Sequence, residues 1–240
     1  MPCVMKNKGF FLIITAVLWP LYCQPAGGVE PNPSRIVLKT RLPQDEEVVF
    51  TMRVPKGYDP AGQEIHRAMV NCVWPFDGLN DWADERGVFI LHAPFRSTNC
   101  WRVESGYGKV ILKALDQMAA SYRVDTNRLL VFGFSRGAQL CNYFVTWKPE
   151  RVTAWAAIVP GVLDEPRSKM RAVPGLLVAG EGDDGRYQLA MRFMEKAREA
   201  RLSVLWRAYP NTAHEVPPEA VKLTRAFFDR HHERTRRLDR

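Results

Sequence analysis

A serine flanked by two glycines is the first candidate for chemistry in this sequence. Residues 133–137 are Gly-Phe-Ser-Arg-Gly, the pattern G-x-S-x-G with Ser135 at its centre. The apolar run 128–133 predicts a strand buried on both faces, and 138–147 predicts a helix. Between a strand and a helix, this pattern is typical of a sharp turn that presents a nucleophilic serine, and glycines suit it because a Cβ would clash there. The alternative is an ordinary loop that contains serine and glycine by chance.

A carboxylate and an imidazole, the two groups that activate such a serine, follow at two later strand ends. Asp183 and Asp184 come after the predicted strand 175–179, and His214 comes after the predicted strand 202–209. Serine becomes a good nucleophile when imidazole accepts its proton near neutral pH, while a carboxylate fixes the tautomer of the imidazole. Either aspartate could instead be a turn residue, and His214 a loop histidine. The other histidines precede the serine or lie near the end of the chain: His66, His92, His231 and His232.

These side chains can meet only if the strands that carry them end at one edge of a sheet. Hydrophobic periodicity predicts strands at 35–42, 46–54, 66–74, 87–92, 128–133, 153–159, 175–179 and 202–209, with helices at 80–86, 107–122, 138–147, 187–200 and 219–232. Strands therefore alternate with helices after an antiparallel start. This order predicts an α/β fold with a mostly parallel central sheet and helices on both faces, and ligands bind such sheets at the carboxyl ends of the strands.

Composition limits the other classes of function. The chain has 240 residues, 46% of them hydrophobic and 25% charged, as expected for one globular domain. Its net charge of +8 is concentrated in part in a run after Arg230, which favours a solvated tail over nucleic-acid binding. No His/Cys spacing indicates a metal, and we predict no cofactor. Outside the N-terminal segment the cysteines are odd in number (Cys72, Cys100 and Cys141), so at most one disulfide can join them.

The N-terminal segment differs from the rest of the chain. Lys6 and Lys8 precede the apolar run 10–18, which is followed by a Pro/Gly-rich stretch. A basic start, a short apolar core and a broken exit are typical of a secretory signal peptide, with an uncleaved anchor as the alternative. We therefore predict a signal peptide at 1–26, a flexible segment at 27–34, the folded domain at 35–232 and a basic tail at 233–240. The protein should be secreted or periplasmic, with no stable membrane span after cleavage.

The chain resembles the α/β-hydrolase superfamily over residues 48–230. The closest resemblance is to secreted polyhydroxybutyrate depolymerases and feruloyl esterase-like proteins, which are related to dienelactone hydrolases. The segment "SYRVDTNRLLVFGFSRGAQL" carries it most strongly. "VPKGYDP", "DWADERGVFILHAPF", "CWR" and "KPERVTAWAAIVPG" add to it. The order Ser, Asp, His is also the chain order of this superfamily.

The resemblance implies a role for each candidate residue. Ser135 would be the nucleophile and His214 the base. The acid of these hydrolases stands three residues after the glycine that ends its strand, which here is Gly180, so Asp183 would be the acid. Asp184 would then lie at the entry of the next helix and cap it. The implied activity is hydrolysis of carboxylic esters through an acyl-enzyme.

One departure concerns the oxyanion hole, the pair of N–H groups that stabilises the reaction intermediate. Such enzymes usually carry His-Gly after the third strand, whereas this chain has Trp74-Pro75-Phe76. Because Pro75 has no N–H, the expected donors are the N–H groups of Arg136 and of Phe76 or a near neighbour.

The substrate is constrained less tightly than the reaction. Trp74, Trp101 and Tyr107 are candidate substrate-binding residues, with core packing as the alternative for each. The late strands are joined without a long insertion, which predicts little or no lid and suits polymeric or aromatic esters. Two alternatives stay open. One is a peptidase or acyltransferase on the same three residues, and the other is a non-catalytic binding protein with this fold.

Export should remove the N-terminal segment. The basic start and the short apolar core predict cleavage before Pro31. Intact-mass measurement of the exported protein checks this prediction. A mature chain that still carries residues 10–18 would show an anchor instead.

Overall fold

The computed structural model describes residues 35–41, 47–73, 76–93 and 106–238. Its strands are β1 (Arg35–Arg41), β2 (Glu47–Arg53), β3 (His66–Asn71), β4 (Val88–His92), β5 (Val124–Phe134), β6 (Val152–Ile158), β7 (Gly175–Gly180) and β8 (Val204–Tyr209). Its α-helices are α1 (Asn80–Arg86), α2 (Tyr107–Ser121), α3 (Arg136–Trp147), α4 (Asp184–Glu199) and α5 (Pro218–Leu238).

The strands form one sheet in the order β1-β2-β4-β3-β5-β6-β7-β8. β1 pairs antiparallel with β2, and β2 antiparallel with β4, whereas the pairs from β4 through β8 are parallel. The predicted fold class, a mostly parallel sheet with an antiparallel start, is confirmed. Because β5 to β8 are parallel neighbours, the loops that follow them emerge at one edge of the sheet.

Both faces of the central strand β5 are buried over its apolar run, as the sequence predicts. Leu129 and Val131 belong to the core layer that also contains the apolar faces of α2, α3 and α4. Leu130 and Phe132 belong to the opposite layer, with residues of α1 and α5. Successive side chains of a strand point to opposite faces. A continuous apolar run therefore fits a central strand covered by helices on both sides.

Several boundaries differ from the predicted ones for identifiable reasons. β5 begins at Val124 rather than 128 because its polar start pairs with β3 through the backbone, which an apolar pattern does not reveal. α4 begins at Asp184 rather than 187. α5 continues to Leu238, past the predicted end at 232, since the Arg and Glu residues of this segment are good helix formers although they are polar.

Two of the three cysteines considered above lie within the described residues. Cys72 and Cys141 are both buried, and Cys100 lies outside the described part. Burial raises the pKa of Cys141 well above its ordinary value, and the neighbouring Cys72 raises it further. A buried thiol with a raised pKa is a packing residue rather than a reactive one.

Within the described ranges, no helix has the length and apolar character needed to cross a membrane. The predicted signal peptide lies outside those ranges.

An ion pair connects the antiparallel edge of the sheet to α1. Arg53 on β2 donates through Nη2 to Asp84 Oδ2 at 2.6 Å and through Nε to Oδ1 at 3.3 Å. The backbone N–H of Lys56 donates to the same carboxylate at 3.1 Å. Burial raises the pKa of Asp84, but the hydrogen bonds from Arg53 and Lys56 outweigh that effect and hold the pKa below its ordinary value of 3.8.

Asp84→Asn should lower the free energy of unfolding at pH 7 by about 1–3 kcal/mol, the usual value for hydrogen bonds to a charged group. The folded-state pKa of Asp84 lies below that of the unfolded chain. The stabilisation is therefore complete above pH 3.8 and is lost as the pH falls through the folded pKa. Urea unfolding of both proteins from pH 7 to pH 3 checks this. A difference between them that stays constant over that range would contradict it.

Candidate active site

Ser135 occupies the turn between β5 and α3 in an unusual backbone conformation. Its φ is 55° and its ψ is −120°, although it is not a glycine. A positive φ of this kind costs free energy and is held only when the surroundings fix it. Here the Ser135 N–H donates to the carbonyl oxygen of Ile158 on β6 at 3.0 Å, and the Ser135 carbonyl accepts the N–H of Gln139 in α3 at 3.2 Å.

The two glycines of the turn are required by the close approach of three chain segments. A Cβ on Gly133 would lie 2.1 Å from the carbonyl oxygen of Gly137. A Cβ on Gly137 would lie 2.0 Å from the carbonyl oxygen of Cys72, which follows β3. Backbone atoms block both positions, so neither residue could carry a side chain without moving the chain. The elbow predicted from G-x-S-x-G is present.

The structure brings Ser135, His214 and Asp183 together in one hydrogen-bonded chain. Ser135 Oγ lies 2.8 Å from His214 Nε2, and His214 Nδ1 lies 3.1 Å from Asp183 Oδ2. The carboxylate can only accept, so Nδ1 carries the proton and donates it to Asp183. Nε2 is then left to accept the serine O–H. A serine, an imidazole and a carboxylate connected in this order can activate the serine hydroxyl.

The loops that carry the acid and the histidine are fastened to each other through one backbone carbonyl. The Gly182 N–H donates to the carbonyl oxygen of Thr212 at 2.9 Å. A Cβ on Gly180 would lie 2.3 Å from the same oxygen, and one on Gly182 would lie 2.9 Å from it. The Glu181 N–H also donates to the Tyr209 carbonyl at 3.0 Å. The two loops therefore hold the imidazole and the carboxylate at a fixed separation.

Aromatic packing orients the imidazole from a further side. The ring of Phe134, the residue before the nucleophile, lies 5.0 Å from the His214 ring between centroids, at an interplanar angle of 32°. The His214 side chain keeps 39% exposure, whereas that of Asp183 keeps 14%. The site is therefore closed around the carboxylate and open at the imidazole.

Arg186 is a member of the site that the sequence analysis missed. Its Nη1 donates to Asp183 Oδ1 at 3.2 Å and to Oδ2 at 2.9 Å. The signal available in the sequence is its position three residues after Asp183 in the first turn of a helix, where an arginine can reach back to an acid.

Asp184 does not cap α4 as predicted. The helix begins at Asp184, and Asp183 occupies the N-cap position before it. The prediction was wrong because the helix starts three residues earlier than its apolar pattern suggests. Asp184 is exposed in the first turn, where a negative charge is favourable near the helix N-terminus.

The two predicted oxyanion donors lie in different parts of the chain: Arg136 follows Ser135 directly, and Phe76 lies in the loop after β3. Arg136 is the first residue of α3, so its N–H belongs to the first-turn amides that have no partner within the helix. Phe76 stacks its ring on Phe132 with centroids 5.1 Å apart. Its carbonyl oxygen accepts from Asn71 Nδ2 at 3.4 Å, and Asn71 Oδ1 accepts the N–H of Val73 at 3.0 Å. Asn71, a fully buried polar residue that the sequence analysis did not consider, therefore shapes the loop after β3.

Of the three predicted pocket residues, Tyr107 lies within the described ranges. Trp74 and Trp101 lie outside the described residues. Tyr107 is 2% exposed and packs in the core, where its ring stacks on Phe50 with centroids 5.9 Å apart. Of the two interpretations of this tyrosine, core packing is the one its surroundings fit. In the described part of the chain, no cluster of His, Cys, Asp and Glu is arranged to hold a metal ion.

Comparison with known proteins gives similarity at the level of structure. No family model and no curated protein sequence matches the chain. A ferulic acid esterase from Anaeromyces mucronatus, solved with ferulic acid, superposes with a TM-score of 0.61 at 14% identity, over 83% of this chain and 91% of that one. A fluorophosphonate-binding serine hydrolase from Staphylococcus aureus gives 0.61 at 11% identity, over 80% and 96%.

Larger peptidases contain the same fold as one part of their length. Porphyromonas gingivalis dipeptidyl peptidase 4 superposes with a TM-score of 0.59 at 14% identity, over 81% of this chain but only 35% of the peptidase. An esterase, a serine hydrolase and a peptidase thus share the fold of this chain. With its mostly parallel eight-stranded sheet, the serine elbow after β5 and these structural neighbours, the chain has the α/β-hydrolase fold.

Proposed function

We propose that the protein is a secreted serine hydrolase that cleaves carboxylic esters through an acyl-enzyme intermediate. The observation that carries this proposal is the unbroken hydrogen-bonded chain from Ser135 through His214 to Asp183, with Ser135 held in a left-handed turn. Strained backbone conformations cluster at active sites, where the surrounding structure holds them in place.

The reaction would proceed in two halves. His214 Nε2 accepts the Ser135 proton as Oγ attacks the ester carbonyl, and the Arg136 N–H stabilises the oxyanion that forms. The imidazolium then donates its proton to the departing alkoxide, which leaves an acyl group on Ser135. In the second half His214 activates a water molecule, the acyl group leaves as a carboxylic acid, and the serine regains its proton. Asp183 stays ionised throughout and stabilises the imidazolium through Nδ1.

An ester is the favoured substrate class, and a peptide is the second candidate. The match to the ferulic acid esterase covers 91% of that enzyme, whereas the match to the peptidase covers 35% of the peptidase. The exposure of His214 supports access for a bulky ester, polymeric or aromatic. The proposal of export rests on the basic and apolar pattern of the first 26 residues.

Ser135→Ala should abolish the activity. We expect kcat for a p-nitrophenyl acyl ester to fall by at least about 10⁴-fold, because the members of such a relay act as a unit. Labelling by a fluorophosphonate probe should disappear in the same variant. Ser168→Ala, a change at an exposed serine in another segment, is the matched control and should keep both. Unchanged turnover by a folded Ser135→Ala protein would defeat the assignment.

The two adjacent aspartates should differ sharply in their effect on activity. Asp183→Asn should lower kcat by about 10⁴-fold, because an amide in its place no longer selects the correct imidazole tautomer. Asp184→Asn should leave kcat near the wild-type value and cost about 0.3–1 kcal/mol of stability through the lost charge at the helix N-terminus. Steady-state kinetics and thermal unfolding of both variants check this. The reverse ranking in kcat/KM would assign the acid to Asp184.

A further inference from the structure

Arg186 makes a contact that serine hydrolysis does not itself require. One oxygen of the acid, Asp183 Oδ2, accepts from His214 Nδ1 at 3.1 Å and from Arg186 Nη1 at 2.9 Å. Nη1 also reaches Oδ1 at 3.2 Å. The carboxylate is thus held from two sides, by the imidazole that it orients and by a guanidinium on its own helix.

Asp183 also stands where an aspartate ordinarily does something else. It is the N-cap residue of α4, and an aspartate there usually accepts the backbone N–H of the second or third helical residue. Those residues are Gly185 and Arg186. The Asp183 side chain makes no such capping bond. One carboxylate therefore has two competing orientations, toward its own helix or toward His214.

We propose that Arg186 is a positioning residue that holds the Asp183 carboxylate toward His214 and away from the helix-capping orientation. This inference rests on the proposed function, because it assigns Arg186 a part in the same relay. In the observed orientation the carboxylate contacts the Arg186 side chain and His214 instead of the N–H groups of the first turn. The guanidinium can reach the acid because Asp183 is the N-cap residue of α4 and Arg186 lies in the first turn of that helix.

The ion pair between Arg186 and Asp183 affects the orientation of the carboxylate more than the stability of the fold. The Arg186 side chain is 40% exposed, and ion pairs with exposed partners contribute little to overall stability. A small free energy is nevertheless enough to decide between two orientations that differ by the value of one helix cap. Arg186 would act on the fraction of molecules in which the relay is assembled rather than on the stability of the fold.

Arg186→Ala tests this, with Arg192→Ala, a change at an exposed arginine further along the same helix, as the matched control. In Arg186→Ala we expect kcat to fall by about 5- to 30-fold, the population shift that one helix cap can produce. KM should stay within about two-fold, since substrate contacts are untouched. The melting temperature should stay equal or rise, because the freed carboxylate caps α4. The control should keep wild-type kcat and KM.

Arg186→Lys separates positioning from a general effect of losing the side chain. A lysine ammonium can also donate to the carboxylate, though without the planar geometry of arginine. It should therefore restore kcat to within about three-fold of the wild-type value. Unchanged kcat with a lowered melting temperature in Arg186→Ala would overturn the proposal and leave a purely structural ion pair. Equal losses of kcat in the lysine and alanine variants would also overturn it.

A second measurement keeps the two proposals distinguishable. The low-field proton resonance of His214 Nδ1 reports its hydrogen bond to Asp183 whether or not an ester is cleaved. If the wild-type protein hydrolyses no ester and takes up no fluorophosphonate, the proposed function fails. The resonance still tests Arg186 in that case: its weakening in Arg186→Ala but not in Arg192→Ala supports positioning, and equal signals in all three proteins overturn it.

Discussion

The left-handed backbone of Ser135 is the constraint on which the rest of the site depends. It requires β5, the start of α3 and the end of β3 to approach within a distance that excludes a Cβ at Gly133 and at Gly137. Strain of this kind costs on the order of 1–3 kcal/mol and is tolerated where packing fixes it. A central strand buried on both faces supplies that packing, so the conformation of Ser135 depends on the layered core.

A second strained residue directly follows the neighbouring strand β6. Val159, directly after β6, has a φ of 44°, a value that β-branched residues rarely adopt. Its N–H donates to the Val178 carbonyl on β7 at 2.8 Å, while the preceding Ile158 accepts the N–H of Ser135. The turns after β5 and β6 are therefore bound to each other and to β7. Hydrogen bonds between three adjacent parallel strands, β5, β6 and β7, therefore fix the position of Ser135.

The sequence predicts the sheet and the elbow because each leaves a local signal. Apolar runs mark the strands and two glycines mark the turn, whereas the choice of Asp183 over Asp184 came from the resemblance to hydrolases whose acid stands three residues after the strand-ending glycine. The polar start of β5 left no such signal, because backbone pairing with β3 creates it. The packing of Phe134 on His214 depends on where two separate segments meet, which periodicity in a single chain does not encode.

Asp183 follows β7 and His214 follows β8, so both lie nearer the edge of the sheet than Ser135. A different contact fixes their positions. β7 and β8 are paired in a register that places Gly180 opposite Tyr209. A one-residue slip would turn the side chains of β8 to the opposite face. The Thr212 carbonyl, accepting from Gly182 while Gly180 lies against it, fixes that register just beyond the strand ends. The serine is thus positioned by burial in the centre of the sheet, and the histidine by a glycine-lined contact between two loops. The contact between the loops leaves the His214 side chain 39% exposed, so its imidazole is open to solvent.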